Sequence, residues 1–184
     1  MATGPSKKSR AEGRKIRRQL FSKQGLISFS ETWNEPLLWS HYADCHRGVA
    51  LGFDLMPKVA FKVNYVDKRL IVPNGREDAY VFWERPKFFD LIERTKYCGW
   101  SYEREVRIFA NNEGSIYENG LYFRPFGDFG ELKEVIIGAD YEGGKNSSLE
   151  KALHDEGVEV ITGRLAFEDF SVKKQNRNSL KKLL

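Results

Sequence analysis

The pattern of apolar residues along this chain predicts an α+β fold: a mixed, mostly antiparallel sheet with a few short helices. Three observations point there. Short strand-like runs outnumber helical ones, strands and helices interleave without strict βαβ alternation, and aromatic residues make up 14% of the chain, which suits a strand-rich core. At 184 residues the expectation is a single domain over residues 24–172, with a basic leader at 1–23 and a basic tail at 173–184.

Residues 1–18 combine Gly4, Pro5 and Ser6 with a dense basic run and almost no apolar side chains, so nothing there offsets the entropy of ordering. Residues 26–30 read as a first short strand. Asn34 is placed to cap a helix with Pro36 in its first turn and Leu37, Leu38, His41 and Tyr42 at helical spacing through Ala43. Residues 48–53 read as a buried strand closed by Asp54 and Pro57, and residues 61–66 as a half-buried one by their alternation. The positions Val81, Phe82, Phe88, Phe89, Leu91 and Ile92 predict helix from Asp78 to about Lys96, divided by Pro86. Strands are expected at 105–110, 121–123 and 134–138. A helix follows from Ser147 or Ser148 to Glu156, stopped by Gly157, before strands at 158–161 and 165–172.

The net charge of +4 conceals a segregation. Residues 1–23 carry eight Lys/Arg against Glu12, a net +7, and residues 173–184 carry five and no acid, a net +5, which leaves −8 on the body between them. Basic ends of this kind are either solvated tails or a means of holding a polyanion through counterion release. No apolar run approaches the roughly 20 residues that cross a bilayer, and no apolar stretch of a signal peptide follows the basic N-terminus. The expected location is cytoplasmic, with no membrane partner. Cys45 and Cys98, without CxxC partners, read as reduced thiols.

Two clusters carry the candidate chemistry. Residues 38–48 hold Trp39, His41, Tyr42, His46 and Arg47; the histidines lie five apart with no HExxH around them, so no metal site is expected. Residues 96–107 hold Glu103, Glu105 and Arg107, which extended backbone would place on one side of a strand. Two carboxylates and a guanidinium so arranged could work as an acid/base pair or stabilise an oxocarbenium-like transition state. The competing reading is a surface ladder of ion pairs. Gly143-Gly144 matches neither nucleotide-loop pattern and reads as a plain turn.

Together, Ile27-Ser28-Phe29-Ser30-Glu31, Leu38-Trp39-Ser40-His41-Tyr42-Ala43, His46-Arg47-Gly48, Phe53-Asp54, Tyr65, Lys96, residues 100–107 and Val135-Ile136-Ile137-Gly138 resemble a bacterial domain family of unknown function linked to abortive infection and phage defence. The family's opening Tyr-rich strand and Asn-Asp-Pro-Phe-Glu segment are missing, so the chain is expected to be N-terminally shortened. A second resemblance is to ADP-ribosyltransferases: Ser28-Phe29-Ser30 is similar to their Ser-Thr-Ser strand and Glu103-Arg104-Glu105 to their Glu-x-Glu motif. That likeness implies an NAD-using toxin. NAD would be its substrate, Glu105 the catalytic residue, Glu103 the activator of the acceptor, and Ser28 or Ser30 the support. His41 or Arg47 would replace the missing grip on NAD, with Tyr42 and Arg107 lining the site.

The alternative class is a non-catalytic module that binds nucleic acid through the basic ends, or binds a protein; under the toxin reading that protein would be an antitoxin. A third reading, a Mg²⁺ nuclease, would use Glu103, Glu105 and Asp54 or Asp140.

Overall fold

The computed structural model describes residues 24–69, 91–143 and 147–175, together with Ala11, Arg14 and Lys15. The basic segments 1–10 and 176–184, and most of the helix expected between 78 and 96, lie outside the described residues. The architecture is α+β with mostly antiparallel pairing, as the apolar patterning predicts. The chain divides into two compact units. The first comprises residues 1–29, 59–101 and 105–125; the second comprises 30–58, 102–104 and 126–184.

In the first unit, β1 (Gln24–Ser30), β6 (Glu105–Asn111) and β3 (Ala60–Lys62) form a three-stranded sheet with β6 in the middle. β3 and β6 run antiparallel, with Phe61 opposite Arg107. β4 (Asn64–Val66) pairs in parallel with β5 (Thr95–Tyr97), which sets Tyr65 opposite Lys96. The single strand expected at 61–66 is therefore two. The Val63 N–H still donates to the Glu105 carbonyl at 3.0 Å, whereas the Asn64 N–H turns to the Arg94 carbonyl, so the chain changes partner at the buried Val63. Lys96, expected at the end of a helix, sits on β5 instead. A hairpin of β7 (Ile116–Glu118) and β8 (Leu121–Phe123) completes this unit, turning at Gly120, whose φ of +83° suits a residue without Cβ.

In the second unit the sheet order is β11, β10, β9, β2, where β2 is Val49–Leu55, β9 Gly130–Ile137, β10 Glu159–Leu165 and β11 Val172–Lys174. β9 is antiparallel to β2 and parallel to β10, and the parallel crossover is made by the helix α2 (Ser147–Asp155). The strand expected at 165–172 does not form: β10 continues to Leu165, the Ala166 N–H bonds the Ser171 carbonyl to close a loop, and pairing resumes only at Val172. Lys173 and Lys174, counted by charge with the tail, are strand residues.

Helix α1 (Pro36–Tyr42) has Pro36 in its first turn, where a missing N–H costs nothing. Its cap is Glu35, not Asn34: the Glu35 carboxylate accepts the Leu37 N–H at 3.1 Å, while the Asn34 carbonyl receives the Val172 N–H. Trp39 on α1 and Ala43 at its C-terminal cap pack with Ile136, Ile161 and Val172 of the sheet to make the core, and the Trp39 indole N–H donates to the Trp33 carbonyl at 2.6 Å.

Candidate functional site

Glu105 opens the central strand of its sheet and is 5% exposed, so the surface-ladder reading does not hold for it. Its carboxylate is held from three elements. Oε1 accepts the Ser28 hydroxyl from β1 at 2.6 Å and Arg107 Nε at 2.8 Å. Oε2 accepts Lys96 Nζ from β5 at 2.9 Å and the second arm of Arg107 at 3.0 Å. Glu105 and Arg107 share a side of β6 because they are two apart on extended backbone, which gives the bidentate geometry. The Glu105 N–H donates to the Tyr65 hydroxyl at 2.8 Å. Burial pushes the Glu105 carboxyl upward, but the hydrogen bonds of Arg107, Ser28 and Lys96 outweigh it and lower the pKa to about 2. The group is a fixed anion at neutral pH, with two cations around it.

Glu103 is also buried, at 4%, but it does not continue the strand. It ends a 3₁₀ turn, Cys98–Glu103, and Arg104 follows with φ +45°, so the alternation expected across 103–107 starts only at Glu105. Glu103 belongs to the second unit, where its Oε1 accepts the Tyr42 hydroxyl at 2.8 Å. The His41 ring lies edge-on to Tyr42 and stacks over Tyr102. His41, Tyr42, Tyr102 and Glu103 thus form a second cluster within that unit.

The remaining candidates make local bonds. The Ser30 hydroxyl accepts the Thr32 N–H at 3.2 Å and donates to the Thr32 carbonyl, closing a turn. Arg47 pairs with Asp44 at 2.9 Å on an exposed surface and lowers the Asp44 carboxyl. That pair sits on a left-handed run, Asp44, Cys45 and His46 at φ +46°, +52° and +68°, which ends α1. Asp54 lies opposite Glu131 in the β2–β9 ladder, and the Asp140 N–H donates to the His46 carbonyl. Among the described residues no group of three or more His, Cys, Asp or Glu could hold a metal ion. Cys45 and Cys98 are free thiols.

The motif reading assigned no role to Tyr65 or Lys96. Each lies in the run that carries the family resemblance, but no spacing rule ties either to Glu105. The parallel β4–β5 register places them side by side, and that pairing is not written in the local pattern of either strand. No helix among the described residues is long and apolar enough to cross a membrane. No protein-family model, no curated protein and no solved structure matches this chain.

Proposed function

We propose that the Glu105 cluster is the centre of an ADP-ribosyltransferase-like site acting on NAD, in a domain of the defence-associated kind that the sequence resembles. The observation that carries this reading is the 2.6 Å bond from Ser28 to Glu105. It joins two residues 77 positions apart that belong to the two motifs the resemblance pairs, and in such sites a strand hydroxyl supports the catalytic carboxylate.

The chemistry asks for such a carboxylate. As the bond between the nicotinamide nitrogen and the ribose C1′ breaks, its electron pair leaves with nicotinamide and positive charge develops on the ribose ring. A rigid, ionised carboxylate beside the ring lowers the energy of that state and accepts a hydrogen bond from a ribose hydroxyl. Water or another nucleophile then bonds to C1′ and loses its proton.

Calorimetric titration of NAD into the purified chain and into Glu105→Gln tests the site. The expected result is binding in the wild-type protein that weakens at least tenfold in the variant. Equal affinity in both, with the variant folded by circular dichroism, overturns the assignment.

A further inference from the structure

Strand β2 ends one side of the second unit's sheet, and among the described residues no strand pairs with its outer edge. In an antiparallel pair, alternate residues point their N–H and C=O at the neighbouring strand and the residues between them point theirs away. The Gly48 carbonyl receives the Gly138 N–H at 3.0 Å, so Gly48, Ala50 and Gly52 bond toward β9 while Val49 and Leu51 turn their backbone groups to the open side. Side chains alternate too. Ala50 packs against the Trp39 core, which sends Val49 and Leu51 to the other face, where they stay 46% and 42% exposed. Helix α2 packs on β10, two strands away from β2.

Edge strands that stay single commonly carry a lysine, a proline or a bulge that blocks further pairing. From Val49 to Leu55, β2 has no lysine, arginine or proline, and its one charge is Asp54. Its pairing with β9 does contain an irregularity, but not on β2. Gly52 lies opposite Glu134 and Phe53 opposite Leu132, so the extra residue is Lys133 of β9 and the outer edge of β2 runs on unbroken.

We propose that β2 pairs with β2 of a second copy of this chain, antiparallel across a two-fold axis at Leu51. That register sets the outward backbone groups of Leu51 against those of the same residue in the other copy, and those of Val49 against Phe53. Charge selects a second copy as the occupant. Asp54 falls opposite Gly48 of the other copy and beside its Arg47, and the two-fold repeats this pairing at both ends of the strand. Both side chains are exposed, and the surface pair that Arg47 makes with Asp44 gives way at little cost. The residues involved belong to the second unit and the Glu105 cluster to the first, so the dimer and the NAD reading stand or fall separately.

Sedimentation velocity of the full chain over a concentration series tests the pairing. A monomer–dimer equilibrium is expected, because a two-fold contact closes on itself. Leu51→Lys sets two like charges at the axis and should raise the dimer dissociation constant by about tenfold or more. Arg47→Glu should weaken the dimer by bringing two acids together, and adding Asp54→Arg to it should restore association. A wild-type chain that stays monomeric at every concentration removes the second copy as the occupant and leaves the edge to a strand of another protein. Open-ended assembly also overturns the proposal. So does a dimer that either single variant, folded by circular dichroism, leaves unchanged, or a loss in Arg47→Glu that Asp54→Arg fails to recover. If Leu51→Lys does not fold, the charge reversal decides by itself.

Discussion

A buried carboxylate is stable only when its oxygens are hydrogen-bonded and its charge is opposed, and Glu105 meets both conditions. Its backbone is held as closely as its side chain, because the Glu105 N–H ends on the Tyr65 hydroxyl at 2.8 Å. Tyr65→Phe removes that acceptor and leaves a buried N–H without it, a loss of about 1–3 kcal/mol. Urea denaturation of the variant should show it as a lower midpoint with unchanged slope, and an unchanged midpoint would mean that water replaces the phenol. At this scale the sequence was informative about Ser28, Glu105 and Arg107, because motif order and period two both act through local backbone. It tied neither Tyr65 nor Lys96 to Glu105, because their approach depends on the pairing of β4 with β5, strands separated by 28 positions between Val66 and Thr95.

At the scale of elements, α1 and the left-handed turn after it fix the second unit's core. Trp39 is 2% exposed, and its truncation to Ala removes a large apolar side chain together with the bond to the Trp33 carbonyl. Trp39→Ala should destabilise the protein by about 3–5 kcal/mol, measured by thermal or urea unfolding; a loss below 1 kcal/mol would mean that the helix is not seated as described. The turn closes against the residue just after β9, where a Cβ on Gly138 would collide with the His46 backbone carbonyl. Strand and helix identities were legible from apolar period and from Pro36 and Gly157. Boundaries were less so. Residues 61–66 alternate as one strand does, yet a change of partner at Val63 divides them, and residues 165–172 read as a strand although Ala166 and Ser171 close a loop on each other. The Glu103–Glu105 alternation failed for a similar reason: the positive φ of Arg104 interrupts the extended backbone that period two assumes.

Across the whole molecule, the depressed pKa of Glu105 ties stability to acid. A carboxyl at about 2 in the folded chain against an ordinary 4.5 favours the folded state above the ordinary value. That contribution, up to about 3 kcal/mol at 1.4 kcal/mol per unit, is lost as pH falls from roughly 4.5 toward 2. Urea midpoints of the wild-type protein should therefore fall more steeply across this window than those of Glu105→Gln, and parallel curves would show that Glu105 ionises equally easily folded and unfolded. The α+β class with mostly antiparallel pairing was legible from the interleaving of strands and helices. The division into two units was not, because residues 102–104 belong to one unit while their neighbours on both sides belong to the other, and no composition change marks those points.

The measurement that bears most directly on the central claim is nicotinamide release from NAD by the wild-type protein beside Glu105→Gln. Removal of one transition-state-stabilising group typically costs a factor of about 10²–10³, so the account predicts release by the wild type and a drop of that size in the variant. Release at the same rate from both proteins would contradict it.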